Sequence, residues 1–327
     1  MGLALRAGMT RYGFHASHEQ HSPDRLLAHV RAAEAAGFEA AMCSDHFHPW
    51  LPEQGESGFA WSWLGAALEA TSLSFGTVCA PGWRYHPAVI AQAAATLGVM
   101  YPGRFWLAIG SGEALNEEIT GLPWPPKPER TGQLAEIGSI MQRLWRGETV
   151  THRGRVVVHE AKLYSRPAVP PVLFAAALSA ETAAAIAPWA DALMTIGGEV
   201  DSVREVIEAF RANGGEGKPV ALQHVVSWAP TESEARDQAY QQWRQSALDP
   251  AKLAELRSPA QFAEAAKSVS PVDVAKNVRI SADLGQHAEW LASYGPLGVD
   301  AVYVMNAGKN QEQYIEAFGS KVLPQLR

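Results

Sequence analysis

The sequence predicts an α/β protein built as a (β/α)8 TIM barrel, with insertions over the C-terminal face of the barrel. Two patterns support this prediction. Short apolar runs rich in β-forming residues alternate with Ala-rich amphipathic segments, as in repeated βα units around a parallel sheet. Close to eight such units fit into the 327 residues, and this number and length are typical of a closed barrel.

Eight apolar runs are the predicted strands, and several helix boundaries between them carry recognisable signals. The predicted strands cover residues 11–15, 40–47, 73–79, 104–110, 172–178, 192–197, 220–229 and 301–306. Ser22 and Pro23 supply an N-cap residue and a proline at the first helical position, and Gly37 marks the end of that helix. Pro87 marks the start of a second helix that is expected to run to about Met100.

Two segments interrupt the βα repeat. Residues 48–63 follow the second predicted strand and are rich in aromatic and turn-forming residues, so we expect them to lie over the mouth of the barrel. Residues 241–282 contain charged helical segments, which are expected either to cover the same end or to form a contact between subunits. Because no linker divides the chain, we expect a single barrel domain spanning residues 1–327.

The overall composition narrows the class of partner. The chain has 27 Lys and Arg against 34 Asp and Glu, a net charge of -7. This balance argues against nucleic acid or an anionic membrane as a partner and favours a small-molecule substrate. The chain lacks an apolar stretch of the roughly 18 residues that a transmembrane helix needs, and a cytoplasmic location is expected. Cys43 and Cys79 lie in apolar runs, which is typical of reduced core thiols.

Polar residues cluster where predicted strands end, which is where a TIM barrel places its chemistry. The second predicted strand ends in Asp45 and His46, and a histidine there can exchange a proton near neutral pH. Glu113 follows a Gly-Ser-Gly turn after the fourth strand, where glycines such as Gly112 let the backbone approach a planar ligand. Trp50 supplies a flat apolar wall. A capping aspartate and a structural histidine are the competing interpretation of Asp45 and His46.

A metal site is an alternative for the same region. Residues 15–21 include three histidines and Glu19, and His46 and His48 form an H-x-H pair like those of hydrolytic barrels. Metal ligands must converge from several strand ends, however, and His224 is the only histidine in the later predicted strands. We therefore predict that the site contains no metal, with a metal-dependent hydrolase as a remote alternative.

Longer motifs resemble a known family. The segments "SDHFHPW", "FAWSWLGAALEAT", "RYHPAVIAQAAATLGVMYPGRFWLAIGSGEALNE" and "LWRGETVTHRG" closely resemble the luciferase-like flavin and deazaflavin oxidoreductases. Within that class they are most similar to the glucose-6-phosphate dehydrogenases that depend on coenzyme F-420 (F420). The resemblance is dense from Tyr12 to about Gly154. It implies a luciferase-like TIM barrel, hydride transfer, a flavin-type cofactor and a homodimer.

The resemblance also implies roles for five residues in these motifs. Asp45 is expected to contact the deazaflavin ring, and His46 to take the proton of a substrate hydroxyl as hydride leaves its carbon. Trp50 is expected to line the substrate pocket and to stabilise the reacting state. Glu113 is expected to donate a proton at the cofactor ring, with Asn116 beside it.

Further positions around the cofactor and the substrate follow from the same resemblance. The family has a non-proline cis peptide bond under the ring, which is expected here at Thr77-Val78 or at Val78-Cys79. Glu19 matches a glutamate near the substrate pocket. Ser179 begins the helix after the fifth predicted strand, where it is expected to bind a cofactor phosphate.

The later half of the chain departs from the sugar-phosphate enzymes, which hold the substrate phosphate with two lysines and an arginine. Here the segment "TIGGEV" contains no lysine, Asn277 takes the place of the arginine, and Lys252 does not align cleanly with the other lysine. A phosphate that loses such cationic partners loses most of its affinity, so glucose 6-phosphate is not the expected substrate. The fifth strand also lacks glycines that approach the cofactor phosphate, which makes FMN a rival to coenzyme F-420.

The resulting prediction is hydride transfer between coenzyme F-420, or FMN, and a small alcohol or carbonyl compound. The alternative within the family is an FMNH2-dependent monooxygenase, in which His46 would assist oxygen chemistry. A flavin-binding protein without catalytic activity is the alternative outside enzymes.

Overall fold

The computed structural model describes residues 9–327 and contains a closed barrel of parallel strands. The strands are β1 (Arg11–Ala16), β2 (Ala40–Ser44), β3 (Ser74–Cys79), β4 (Phe105–Ile109), β5 (Val150–Arg153), β6 (Val157–Ala161), β7 (Val172–Ala176), β8 (Ala192–Ile196), β9 (Val220–Ser227), β10 (Arg279–Ile280) and β11 (Ala301–Asn306). Eight of them form the barrel in the order β9, β11, β1, β2, β3, β4, β7, β8, and pairing of β8 with β9 closes it. These eight are the predicted strands, and the predicted TIM barrel is confirmed.

Helices follow most barrel strands. They are α1 (Pro23–Ala35), α2 (Ala60–Ala70), α3 (Pro87–Met100), α4 (Ala114–Glu117), α5 (Lys127–Trp145), α6 (Ala180–Ile186), α7 (Val200–Phe210), α8 (Glu232–Trp243), α9 (Pro250–Leu253), α10 (Pro259–Ala265), α11 (Pro271–Val274), α12 (Leu284–Ala292) and α13 (Gln311–Ala317). The predicted starts of α1 and α3 at their prolines are confirmed. Within residues 9–327 the helices are too short or too polar to span a membrane.

The interior of the barrel is filled by aromatic side chains that glycines accommodate. Trp106 on β4 lies with its ring centroid 5.0 Å from Phe174 and 5.3 Å from Tyr303. A Cβ on Gly76 would overlap the Trp106 ring, and a Cβ on Gly13 would crowd Tyr303, so both strands need glycine at these inward positions. The interior is therefore packed, and any pocket must lie above it, at the C-terminal ends of the strands.

The second insertion covers this C-terminal end of the barrel, which confirms one of its two expected positions. Phe262 on α10 packs in a buried apolar cluster with Leu51 and Leu115, which come from the loops after β2 and β4. The backbone N–H of Ala114 also donates a hydrogen bond to the carbonyl of Ala254, at 3.0 Å. The first insertion is irregular only up to Phe59, because α2 begins at Ala60.

Three strands were not predicted. β5 and β6 form an antiparallel hairpin outside the barrel, and the two-residue strand β10 pairs with β9. β2 also ends earlier than predicted, at Ser44, because the polar residues that follow it bond to side chains instead of continuing the sheet.

Candidate active site

Glu19 and His46 face each other where β1 and β2 end. His46 Nδ1 lies 3.3 Å from Glu19 Oε1. The other oxygen of the Glu19 carboxylate accepts hydrogen bonds from the hydroxyls of Ser17, at 2.8 Å, and Ser44, at 2.6 Å. The side chain of Glu19 is 3% exposed, whereas that of His46 is 15% exposed. His46 is therefore the member of the pair that a bound substrate can reach.

The environment of this pair favours a neutral imidazole next to a carboxylate. Burial lowers the pKa of His46, although the Glu19 carboxylate opposes this effect. Burial alone would raise the pKa of Glu19, but the His46 ring and the Ser44 hydroxyl outweigh it, and the pKa lies below its ordinary value. When a neutral histidine takes up a proton, an adjacent carboxylate stabilises its positive charge. Such a histidine is suited to act as a general base.

Trp50 forms a wall between His46 and the second insertion. Its ring centroid lies 5.0 Å from that of His46 and 5.2 Å from that of Phe262, both in edge-to-face arrangements. The backbone N–H of Trp50 donates to Gln54 Oε1 at 2.8 Å, which fixes the start of the loop. The predicted pocket-lining position of Trp50 is thus supported by its contact with His46.

A buried cluster of Asp45, Arg84 and Glu117 lies beside this pair. Arg84 Nη2 is 3.4 Å from Asp45 Oδ2 and 3.5 Å from Glu117 Oε1. It also donates to the backbone carbonyl of Asp45 at 2.8 Å, and the Arg84 backbone N–H donates to Glu117 Oε2 at 3.1 Å. The cluster joins the ends of β2, β3 and β4 into one unit.

The carboxylate of Asp45 is directed into this cluster, where Oδ2 faces the Arg84 guanidinium at 3.4 Å without a hydrogen bond. Its side chain has no exposed area, and Oδ1 accepts a hydrogen bond from the Tyr85 hydroxyl at 3.1 Å. Burial raises the pKa of Asp45, although Arg84 and Tyr85 oppose the shift. A direct contact between Asp45 and a cofactor ring stays a prediction.

Gly112 and Glu113 lie at the end of β4, where the turn requires glycine. Gly112 has φ 76°, and a Cβ there would lie 2.9 Å from Ala80 Cβ and 3.0 Å from Glu117 Cγ. Glu113 is the residue before α4, and burial raises its pKa to about 8, with the charges of Glu117 and Glu19 adding to the effect. Glu113 therefore holds a proton at neutral pH, as a general acid must.

Asn116 joins the loop after β2 to α4. Its Oδ1 accepts hydrogen bonds from the backbone N–H groups of Phe47, at 2.9 Å, and His48, at 3.2 Å. His48 Nδ1 lies 2.8 Å from the carbonyl oxygen of Leu115, so its ring is bound to α4 as well. These bonds hold the residues that follow His46 in place.

The expectation of a cis peptide bond at the end of β3 is wrong for this structure, because every peptide bond of residues 9–327 is trans. β3 stays regular to its end, where Val78 pairs with Ala108 and Cys79 with Ile109 on β4. The Thr77 hydroxyl is buried and donates to the carbonyl of Cys43 at 3.0 Å. Val78 is half-buried next to the apolar cluster of the barrel interior.

Ser179 forms its side-chain hydrogen bonds with Thr182 and not with the other predicted site residues. It is exposed at the N-terminus of α6, where its hydroxyl accepts a hydrogen bond from the Thr182 backbone N–H at 3.3 Å. It follows β7, which pairs with β4, so it lies on the same side of the barrel as Gly112 and Glu113. Its predicted phosphate contact stays untested.

The histidines that were considered as metal ligands contact different parts of the protein. Within residues 9–327, no three His, Cys, Asp or Glu side chains are placed so that they could hold one metal ion. His18 Nδ1 lies 2.9 Å from the carbonyl of Gly58, and His21 packs edge-to-face against His29 at 5.0 Å. The H-x-H motif does not converge either, because His48 is bound to α4.

Sequence reasoning missed Arg84, Tyr85 and Glu117. Arg84 and Tyr85 belong to the motif "GWRYHP" after β3, and Glu117 ends the motif "GSGEALNE" after β4. The available signal is a charged residue close to the end of a predicted strand, since a charge that becomes buried there requires a partner.

A sequence profile of the family described as luciferase-like monooxygenase matches residues 8–301. The chain belongs to this family. The match covers the strand ends that carry His46, Arg84 and Glu113, and it confirms the resemblance seen in the motifs.

The chain is also similar to individual proteins whose names state a cofactor. The chain is 33% identical to an "F420-dependent glucose-6-phosphate dehydrogenase" of Microbacterium testaceum, over 97% of both chains. It is also 33% identical to an "F420-dependent hydroxymycolic acid dehydrogenase" of Mycobacterium tuberculosis, over 95% of this chain and 87% of the relative. A solved "F420-dependent secondary alcohol dehydrogenase in complex with an F420-acetone adduct" superposes with a TM-score of 0.90 at 29% identity, covering 98% of this chain and 99% of that one.

Proposed function

We propose that this chain is an oxidoreductase that transfers hydride between coenzyme F-420 and a small, uncharged alcohol or its carbonyl product. Relatives that match almost the whole chain are named as F420-dependent dehydrogenases, which favours coenzyme F-420 over FMN. The observation that carries the proposal is the Glu19–His46 pair, in which a buried carboxylate supports a histidine at the open end of the barrel.

His46 is the proposed base for the substrate hydroxyl. A hydroxyl that approaches the ring transfers its proton to the imidazole while hydride leaves the adjacent carbon. Glu19 Oε1, 3.3 Å from Nδ1, then stabilises the imidazolium. Trp50 closes one side of this position, so a substrate carbon would be held against His46 without bulk water.

Glu113 is the proposed acid on the cofactor side. When bound, the deazaflavin ring supplies the carbon that takes up or returns the hydride. Because the pKa of Glu113 is raised to about 8, its carboxyl group carries a proton at neutral pH that it can share with the ring. His46 and Glu113 thereby divide the proton chemistry between the two sides of the site.

The residues around Glu113 fit a flat cofactor. Gly112 has no side chain at the turn, and Val78 offers a half-buried apolar surface at the end of β3. We propose that Thr77, Asn116 and Asp45 support this surface through the backbone, since their side chains are bonded within the protein. Ser179 remains the proposed contact for a cofactor phosphate.

Three positions at the proposed substrate end offer no free cationic group for a phosphate. Asn277 donates its amide hydrogen to the carbonyl of Ser246 at 2.7 Å. Arg279 is paired with Glu199 at 2.9 Å, and Ile196, at the end of β8, is half exposed. An uncharged substrate matches these surroundings better than glucose 6-phosphate does.

Anaerobic reduction of coenzyme F-420 by the purified chain tests the proposal. Propan-2-ol and longer secondary alcohols are expected to bleach the cofactor absorbance, while glucose 6-phosphate is expected to have little effect. If none of the alcohols reduces the cofactor and reduced FMN instead drives oxygen consumption, the monooxygenase alternative replaces the proposal.

A further inference from the structure

The loop that carries Trp50 contains neither helix nor strand. It runs from the end of β2 at Ser44 to the start of α2 at Ala60 and is called the β2–α2 loop below. Backbone N–H groups in such a loop have no ladder or helical partner, so those that become buried must find an acceptor elsewhere. The position of Trp50, and with it one wall of the proposed site, therefore depends on the acceptors that this loop finds.

The side-chain amide of Gln54 provides the acceptor for Trp50 and for the residue after it. Gln54 Oε1 accepts hydrogen bonds from the backbone N–H of Trp50, at 2.8 Å, and of Leu51, at 3.2 Å. The backbone N–H of Gln54 donates in turn to the carbonyl of Leu51 at 3.1 Å. Gln54 is fully buried, so water does not compete for these bonds. One side chain thereby closes the turn that begins at Trp50.

The other end of the same amide binds the second insertion. Gln54 Nε2 donates to the backbone carbonyl of Gln242 at 2.9 Å. Gln242 lies in the last turn of α8, where α-helical carbonyls are left without their usual partner and can accept from side chains. Because both ends of one planar amide are bonded, the side chain of Gln54 sets the separation between the Trp50 backbone and α8.

Apolar packing brings the Trp50 ring to the same part of the molecule. The ring packs on a buried cluster that contains Trp243 and Met305, and on a second cluster that contains Leu51 and Phe262. Trp243 is the neighbour of Gln242 at the end of α8. The hydrogen bonds of Gln54 and the packing of the ring therefore act together at this helix end.

We propose that Gln54 is a positioning residue that holds the Trp50 ring beside His46, where a small alcohol bound at His46 packs against it. The inference rests on the proposed function, in which Trp50 closes one side of the substrate position. Gln54 acts through the backbone of Trp50 and not by touching the substrate. When the wall is displaced, a small substrate loses contacts with it and binds more weakly.

Lys309 and Arg244 also bind the β2–α2 loop, but at the other end of the turn. Lys309 Nζ donates to the carbonyls of Glu53, at 3.0 Å, and Gln54, at 3.1 Å. Arg244 pairs with the Glu53 side chain at 2.7 Å. These contacts hold the residues after Leu51. Loss of the Gln54 amide should therefore release Trp50 while the rest of the turn stays bound.

Amide hydrogen exchange of the full chain without cofactor tests these contacts independently of activity. Gln54→Met keeps a side chain of similar length and removes its amide. We expect the backbone amides of Trp50 and Leu51 to exchange roughly tenfold faster in this variant, because both lose their acceptor. If both amides exchange at the unmodified rate, Gln54 does not hold the wall.

Gln242→Met is the matched control. The Gln242 side chain is also buried and accepts a hydrogen bond from Gln20 at 3.3 Å, whereas Gln54 binds the backbone carbonyl of Gln242, which this substitution keeps. The exchange of the Trp50 and Leu51 amides should match that of the unmodified chain. If Gln242→Met accelerates them as much as Gln54→Met does, the effect is a general loosening of the barrel mouth and the proposal fails.

Steady-state kinetics with coenzyme F-420 and propan-2-ol test the role in the reaction. Gln54→Met should raise KM for propan-2-ol roughly tenfold and change kcat by less than about threefold, because the wall contributes to binding and the proposed base stays in place. A residue that only stabilises the fold would lower the amount of active protein, and hence kcat, at an unchanged KM. That result would contradict the proposal.

A double-mutant cycle with Trp50→Ala shows whether Gln54 acts through the Trp50 ring. Trp50→Ala alone should raise KM at least as much as Gln54→Met does. Adding Gln54→Met to Trp50→Ala should then change KM by less than about twofold, because no ring is left to position. If the two fold-changes multiply instead, Gln54 acts independently of the wall and the proposal is overturned.

Gln54→Asn decides the question if Gln54→Met does not fold. Asparagine keeps the amide but is one methylene shorter, so it cannot bind both the Trp50 backbone and α8. It should raise KM and accelerate exchange at Trp50 to a smaller extent, and no change in either would overturn the proposal. If no alcohol reduces coenzyme F-420, the proposed function fails, but the exchange rates still show whether Gln54 holds the loop.

Discussion

The two halves of the barrel mouth differ in how their side chains are bonded. The half formed by β1 to β4 carries ionisable groups in a dense set of short contacts, among them the Glu19–His46 pair and the Asp45–Arg84–Glu117 cluster. The half formed by β7 to β9 presents apolar side chains. Leu178 is 62% exposed and Ile196 is 50% exposed there.

Two arginines at the rim of the second half are each paired with a glutamate, one of which, Glu53, comes from the insertion after β2. Arg279 pairs with Glu199 at 2.9 Å, and Arg244 pairs with Glu53 at 2.7 Å. Such pairs leave little net charge to attract an anionic substrate. The difference suggests a division of labour in which the first half performs proton chemistry and the second half selects the substrate.

The largest expected effect comes from His46 in the first half. His46→Gln should lower the rate of coenzyme F-420 reduction roughly 100- to 10,000-fold, because it removes the proposed base for the hydroxyl proton. Affinity for the cofactor, measured by fluorescence titration, should change little.

His48→Gln is the matched control for this variant. His48 is two residues away from the proposed base in the sequence, and its ring is bound to the carbonyl of Leu115. The rate of the variant should therefore stay within a few-fold of the unmodified rate. If His46→Gln retains full activity, the first half does not perform the chemistry assigned to it.

An intermediate effect is expected at Glu19. Its carboxylate raises the pKa of His46 against the stronger effect of burial, so Glu19→Gln should lower that pKa further. Because His46 acts as a base only when neutral, the acid limb of the pH–rate profile should move to lower pH. The maximal rate should fall roughly tenfold, since the imidazolium loses a stabilisation of about 1.4 kcal/mol.

Glu56→Gln separates this effect from a general change of loop charge. The Glu56 side chain is exposed, although its backbone N–H bonds to the carbonyl of Glu19 at 3.0 Å. The pH–rate profile of Glu56→Gln should match that of the unmodified chain. If the acid limb of the pH–rate profile does not shift in Glu19→Gln, Glu19 does not influence the pKa of the proposed base.

The smallest expected effect tests selection by the second half. Gly198 follows β8, and a Cβ there would have no atom within 4 Å, so Gly198→Lys can add a cation without a clash. We expect kcat/KM for glucose 6-phosphate to rise only about threefold relative to the unmodified chain, because the ammonium can pair with a phosphate but stays exposed to solvent. The rate with propan-2-ol should change by less than about twofold.

Gly198→Gln is the control for side-chain bulk, since it adds a long polar side chain without charge. It should not improve the use of glucose 6-phosphate. A rise of similar size in both variants would mean that charge in the second half does not decide the substrate.

Local sequence patterns were sufficient for the fold and for part of the site. Each barrel strand is a short apolar run, and alternation with helices implies parallel pairing, so the barrel could be predicted without knowledge of contacts. His46 and Glu113 could be identified as candidates because they directly follow such runs. The hairpin β5–β6 was missed because its apolar run, Val156 to Val158, is only three residues long and polar residues flank it.

Only the tertiary structure decided which residues far apart in the chain contact each other. Arg84 lies 39 residues from Asp45 and 33 from Glu117, yet the pairing of β2 with β3 and of β3 with β4 brings all three together. Trp50 meets Phe262 only because the second insertion folds over the strand ends. Periodicity describes which face of an element is buried, but not which distant element covers it. The sequence by itself therefore determined where the proposed chemistry lies, and the fold decided which side chains surround it.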